Sequence, residues 1–534
     1  MKIKRLSALC LSVLLLTGCT KEDLPFLISS SEPESSAADH SAQRYNTDRL
    51  KEMAQQLQET KKLSGAEQQI QTEIQAILDE VDKAYAVFVH ANMEYYADWN
   101  NRELAALSDE THADYSAADE IATWAFCNAC KDSDYDELFE PYVQQEWLAY
   151  YVANSLNRVI SRARENAAQN DSILDDYYNT AYDENIDLDD PSETNYSCAK
   201  LYLETLQTYQ TDAYLYDYYS RDYTAEQASS VYHELTGLLV PVYEKLRDYV
   251  LADPRYGKLR ENGFAVDDPF QTLKQYAPSL SPSIAESVDK LFSGPYYLSS
   301  KSLEAYDGSF TASLPSEQTA YMYIHLSDDY YDLTTVVHEF GHFNSDWRDL
   351  TPVYLSRNCI DIAEVQSQGM EMLFTSFYDD IYGADADYLE ALMLYNTIDS
   401  VLAGFAVGEF ENQVMRQQDS LTPKEICNLF DEMMDSCGLA CELYQISHLY
   451  EQPGYYVSYG VSALAALDLY ANMQNSMEHA LSMYTQIMQI PTNAGETMFC
   501  QAMKSCGFGD VFEKSELERI TAAVSSRVES LRNH

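Results

Sequence analysis

From about Asp48 to Asn170 apolar residues recur at spacings of three and four, as in Ile74, Ile77, Leu78, Val81 and Ala84–Tyr85, with polar faces between them. That period puts one apolar stripe on a helix, so the stretch predicts amphipathic helices packed on a common core. Residues 171–196 are acidic and rich in Tyr and Asn, and predict a loop. Helical patterning resumes from Ser197 to Leu251 and breaks at Asp253-Pro254, after which Pro269, Pro278 and Pro282 punctuate the chain. Strand signals are confined to about 305–327. There Gly308–Leu314 alternates small and large residues, and Ala320–Leu326 is rich in aromatic and β-branched side chains. The remainder, to about residue 530, is again helical in pattern, and no repeat of fixed period is visible. The expectation is a mainly α chain with a small β element just before residue 330. Most of the 44 tyrosines are expected to be packing residues with a polar tip.

The N-terminus changes the picture of where such a chain works. Lys2, Lys4 and Arg5 precede the short apolar run Leu6–Leu16, which has the make-up of a secretion signal and is too short to span a bilayer. Leu16-Thr17-Gly18-Cys19 resembles a bacterial lipobox, which implies cleavage before Cys19 and lipid on its thiol. Residues 20–46, rich in Ser, Glu, Asp and Ala, read as a disordered tether reaching on the order of 30 Å. No later apolar run is expected to reach the roughly 18 residues of a membrane span. The chain therefore divides into a signal (1–18), lipidated Cys19 with its tether (19–46), an N-terminal helical region (47–300) and a region carrying the chemistry (301–534). The expected location is the outer side of a bacterial cytoplasmic membrane, held by lipid alone.

The formal charge of −52 excludes nucleic acid as a partner, because phosphate binding needs Lys and Arg. It equally excludes electrostatic adhesion to anionic lipid. It is compatible with basic peptides as ligands, or simply with solubility at a cell surface. Of 11 cysteines, those after Cys19 are odd in number, so at least one thiol stays free or pairs between molecules. Cys127-x-x-Cys130 has the spacing of a metal or redox pair, but no second pair or flanking His completes a site; two buried thiols or one disulfide are the simpler readings.

The densest chemical signal is His338-Glu339-Phe340-Gly341-His342, preceded by the apolar or Thr run Leu333–Val337. Residues i and i+4 share a helix face, so His338 and His342 can offer two imidazole nitrogens to one metal ion. Glu339 lies about 100° further round, where it can serve a water as base without ligating the metal. A catalytic zinc site needs a third protein ligand as well.

The next helical stretch, Asp361-Ile-Ala-Glu364-Val-Gln-Ser-Gln-Gly-Met-Glu371, resembles the zinc peptidases of the thimet oligopeptidase and oligoendopeptidase F family. The resemblance implies that Glu364 is the third ligand, with Asp361 and Glu371 as candidates to orient the histidines. Further on, His448-Leu-Tyr-Glu-Gln-Pro-Gly-Tyr455-Tyr456-Val-Ser-Tyr459 resembles the family's His- and Tyr-rich loop, whose side chains donate hydrogen bonds to the oxyanion and substrate. By spacing, His448, Tyr456 and Tyr459 match those donors; Pro453-Gly454 replaces the family's paired glycines. Tyr455 is as compatible with packing as with a role. Ala320–Leu326 stands where the family has an edge strand able to pair with an extended peptide, and His325 on it reads as a strand residue facing solvent or cleft. The close resemblance covers about residues 300–470. It implies a large two-lobed helical fold with a deep central cleft and a small β-sheet beside the zinc helix. It also implies one Zn²⁺ per chain, short unfolded peptides as substrates and hydrolysis of their bonds. A peptide-binding lipoprotein without catalysis and a dipeptide-releasing exopeptidase are the alternatives. Oligomeric state is not legible.

Overall fold

A computed structural model describes residues 44–532 other than 132, 144, 168–171, 183–185, 187–189, 208–211, 260, 262, 358 and 419. The signal, Cys19 and the tether up to residue 43 lie outside the described residues. The folded body is already anchored at Arg44, whose guanidinium pairs with Asp114 at 2.9 Å. Helices α1 (Asp48–Thr60), α2 (Glu67–Ala97), α3 (Arg102–Cys130) and α4 (Leu156–Ala167) make an N-terminal lobe. Their apolar stripes close on one core that includes Leu57, Ile70, Ile77, Ile121 and Phe126. α3 begins where the Asn101 side chain accepts from the amides of Glu103 and Leu104, satisfying two otherwise orphaned donors.

A second, larger core runs from Tyr177 to Leu531. Residues 177–292, grouped by pattern with the N-terminal helices, therefore share their core with the residues that carry the chemistry. The loop expected over 171–196 contains the helix Ser172–Ala181 and the start of Ser192–Leu206. Tyr177 on the first of these helices and Cys198 on the second are both fully buried, so tertiary packing overrides a polar local composition. Cys127, Cys130, Cys198, Cys359, Cys427, Cys437, Cys500 and Cys506 form no disulfide among the described residues.

The sheet has three strands: β1 (Tyr297–Ser300), β2 (Phe310–Leu314) and β3 (Thr319–His325), in the order β1-β3-β2. β1 runs parallel to β3 and β2 antiparallel to it, with Phe310 opposite Tyr323. The expected edge strand is thus the central one. Both its sides are already hydrogen-bonded, and it cannot accept a peptide. Its apolar richness was the mark of a buried middle strand, and the plain sequence Tyr-Leu-Ser-Ser of β1 hid the neighbour that covers it. β2 is the edge that borders the cleft between the lobes.

β3 leads into α5 (Asp332–Asp346) through a turn closed by the Asp332 carboxylate, which accepts from the amides of Ser327 (2.9 Å) and Asp328 (3.0 Å). Three more helices, α6 (Ile360–Phe374), α7 (Ala386–Gln417) and α8 (Val457–Asn475), pack behind it. Contrary to the sequence expectation, one stretch within Ile360–Gln417 is long and apolar enough to cross a membrane, yet its apolar window is wholly buried inside the protein. It is the middle of the core.

Two glycine contacts set how closely these helices approach. A methyl group on Gly404 of α7 would come within 2.2 Å of the Gly460 amide of α8. A methyl group on Gly341 of α5 would come within 2.5 Å of the Ser367 Cα of α6. The obstacle is backbone in both cases, and it cannot rotate away. Gly341→Ala is expected to push α6 off α5, costing about 1–3 kcal/mol by overpacking. The measurement is a lower Tm.

Candidate active site

α5 presents His338 and His342 on one face, with ring centroids 5.0 Å apart. α6 brings Glu364 to them from the other side. Its Oε2 lies 3.6 Å from His338 Nε2 and 3.9 Å from His342 Nε2, and the three donor atoms fall within 4.8 Å of one another. Ligands about 2.1 Å from one zinc sit roughly 3.4 Å apart in tetrahedral geometry. The spacing and the N,N,O donor set therefore fit zinc. Glu371, two turns beyond Glu364, bonds His338 Nδ1 at 2.6 Å. That contact orients the ring so that Nε2 is the nitrogen offered to a metal.

Burial opposes charge throughout this site. It would lower the His338 pKa, but the bond to Glu371 and the nearby Glu364 and Glu339 raise it to about 9. Burial, with the adjacent His338, holds His342 well below its usual value, so its ring is neutral and free to ligate. Burial pushes Glu339 up to about 7, against the pull of His338 and a hydrogen bond from Thr311. The Thr311 hydroxyl donates to Glu339 Oε2 at 2.8 Å, so strand β2 fixes the direction in which this carboxylate points. A carboxylate with a pKa near neutral is suited to accept and return a proton.

The opposite wall comes from the turn Gln452–Tyr455 and the first turn of α8. The Tyr455 hydroxyl donates to Glu364 Oε1 at 3.2 Å, and the Tyr459 hydroxyl lies 3.4 Å from His448 Nε2. Burial drives both tyrosines well above 10, so they remain protonated donors, and it lowers His448. Tyr455 and Tyr459 are i, i+4 neighbours and both line the cleft. Tyr456, matched to a donor by spacing, is only 2 % exposed and packs edge-on against His448 and Tyr459, with ring centroids 5.7 and 5.5 Å away. Of the three tyrosines, Tyr455 and Tyr459 border the cavity, and Tyr456 is not among its lining residues.

This wall is held by residues that the sequence did not single out. Arg221 is fully buried, and its Nη2 donates to Gly454 O at 2.8 Å and Ser458 Oγ at 2.7 Å. It faces Asp361, one turn before Glu364, at 3.6 Å and lies between the rings of Tyr216 and Tyr219. Glu411 of α7 accepts from the Gly454 amide at 2.7 Å. Gly454 itself has φ +81°, which suits glycine. The Pro453-Gly454 turn is therefore gripped on both its N–H and its C=O side, and the tyrosines that follow are fixed relative to Glu364. The only local hint was a lone Arg in the Tyr-rich run 216–223.

His338, His342, Glu339, Glu364, Tyr455 and Tyr459 all border one cavity of about 510 Å³ that also takes in His325 and β2. No family model matches this sequence, and no curated protein resembles it in sequence. Solved structures do resemble it. PZ peptidase A, solved with an inhibitor, superposes with a TM-score of 0.67 at 14% identity, covering 91% of this chain and 98% of the other. A protein described as an oligoendopeptidase F gives 0.68 at 14% identity over 92% and 98%. One so described from Bacillus anthracis str. Ames gives 0.67 at 14% over 92% and 98%. The chain has the oligoendopeptidase F fold. Within that fold the cleft between the lobes is where the three donor atoms and Glu339 converge.

Removing the Arg221 charge is expected to leave Asp361 and Glu411 buried without their cation. Arg221→Met should then cost about 3–5 kcal/mol, read as a fall in Tm or in the denaturant midpoint at unchanged m-value.

Proposed function

We propose that this protein is a zinc-dependent peptidase acting on short, unfolded peptides. The observation that carries the reading is the convergence of His338, His342 and Glu364 beside Glu339 in a cleft between two lobes. The likeness in fold to PZ peptidase A and the oligoendopeptidases F supports it. When bound, zinc supplies Lewis acidity, polarising the scissile carbonyl and lowering the pKa of the attacking water. Glu339, aimed by Thr311, takes the proton from that water and returns it to the leaving amine nitrogen. Tyr459 and His448 stand ready to donate to the oxygen on which negative charge develops. Tyr455, bonded to Glu364, either steadies that ligand or turns to the substrate. The edge of β2 offers main-chain groups to an extended peptide. A cavity of about 510 Å³ supports substrates of a few residues over folded proteins.

Glu339→Gln keeps the size of the side chain and removes the base. It should retain zinc and lose about 10²–10⁴ in kcat, whereas His338→Ala should lose both metal and activity. Tyr459→Phe should lose roughly 10²–10³ in kcat. All are read with one fluorogenic peptide, before and after chelation. Wild-type turnover that survives thorough chelation would sink the zinc reading, and full turnover by Glu339→Gln would leave a peptide-binding protein in its place.

We further propose that the protein is a lipoprotein anchored through Cys19 on the outer side of the cytoplasmic membrane, as the lipobox-like run supports. Cys19→Ser should move it from the membrane to the soluble fraction. Continued membrane association after signal cleavage would refute the anchor.

A further inference from the structure

Asp346 stands four residues beyond His342 and seven beyond Glu339, so its side chain projects from the same side of α5 as the base, toward the cleft. It borders the same cavity as the metal triad. Across from it the N-terminal lobe contributes Tyr85 of α2 and Tyr115 of α3, with ring centroids 5.2 Å apart, and both border that cavity too. The Asp346 carboxylate and the two tyrosine hydroxyls have no hydrogen-bond or ion-pair partner among the described residues. Three polar groups from two lobes thus border one cavity, with Asp346 near enough to Tyr85 for its charge to act on that hydroxyl, where a partly buried polar group ordinarily has a partner. No lysine or arginine is among the described residues lining the cavity, while Asp307 and Asp329 add to its negative field.

We propose that Asp346, Tyr85 and Tyr115 form a subsite for a cationic nitrogen group of the peptide substrate, best filled by an arginine side chain. A carboxylate can take a guanidinium through two parallel hydrogen bonds, and two tyrosines supply ring faces and acceptor oxygens around it. An ammonium fits the same charge with less geometric definition. Burial, with Asp349 and Glu339 nearby, pushes the Asp346 carboxyl up to about 8. The cleft by itself thus disfavours a charge that an incoming cation would favour. The Asp346 field also reaches Tyr85, whose hydroxyl burial pushes up to about 12. The inference rests on the peptidase reading of this cleft and names the substrate class that it prefers. The same chemistry would serve the free α-ammonium of a peptide N-terminus, which would make the enzyme an exopeptidase.

Binding is the decisive readout, because it does not require turnover. The zinc-loaded full-length protein in detergent, carrying Glu339→Gln, is titrated calorimetrically with N-acetylated, C-amidated peptides. In these, arginine is moved through each position and compared with its neutral isostere citrulline. A third set has a free N-terminus and no basic side chain. Arginine is expected to bind about 10- to 100-fold tighter than citrulline at one position. Adding Asp346→Asn should bring that ratio to near one, and Tyr85→Phe with Tyr115→Phe should lower it by about three- to tenfold. The second variant keeps the ring faces and tests the subsite should the first fail to fold. Preference for the free N-terminus, lost in Asp346→Asn, would assign the subsite to the α-ammonium. No preference in the parent protein, or one that survives both variants, overturns the inference. Absence of turnover in the wild type would refute the peptidase reading and leave a binding preference standing.

Discussion

The close approach of α5 to α6 at Gly341 is the constraint on which the rest of the site depends. Two histidines one turn apart define only one side of a metal site. The third donor must come from another element, and it must arrive within a few ångströms. With no side chain at Gly341, the α6 backbone comes so near that a methyl group there would meet the Ser367 Cα at 2.5 Å. Glu364 then needs no long reach, and Glu371 of the same helix falls on the back of His338. One helix–helix contact therefore sets ligand spacing and ring orientation together. It is a packing constraint before it is a chemical one, and it leaves the α5 face opposite α6 free to border the cleft.

Around that contact the electrostatics are those of a buried, acid-rich site. Taking carboxylates out of water raises their pKa, as at Glu339 and Glu364. The few cations available are placed where they do most. Arg221, enclosed by tyrosine rings, faces Asp361 and grips the turn that also binds Glu411. It offsets negative charge behind the candidate donor set, not in the cleft. The cleft wall carries several carboxyl groups and, among the described residues, no lysine or arginine.

The lobes divide the labour. The N-terminal helices have a separate core and contribute no metal donor, yet they supply Tyr85 and Tyr115 to the cleft wall. The larger core carries the triad, the base and the donor loop. The candidate site is built mainly on one body, and part of the cleft wall comes from the other. A fold of this kind can change what it binds without disturbing what it does.

The period of three and four along the chain determined its helical character, because one apolar face per helix is all that a buried stripe requires. The spacing of His338, Glu339 and His342 determined two donors and a base, since one helical turn fixes their relation without help from the rest of the fold. Glu364 and the donor loop were reached only through resemblance to a family, because a carboxylate two dozen residues away carries no geometric signal of its own. What tertiary structure decided were the relations between elements. It made β3 central, since strand order depends on partners that a strand's own sequence does not name. It placed Tyr455 and Tyr459 on the cavity wall, a relation that the spacing of the tyrosines alone does not give. It folded residues 171–196 partly into helix, since burial of Tyr177 and Cys198 outweighs a polar composition. It brought Arg221, Thr311 and Tyr85 to the site from separate parts of the chain, and only the packing of distant segments could give those side chains a common address.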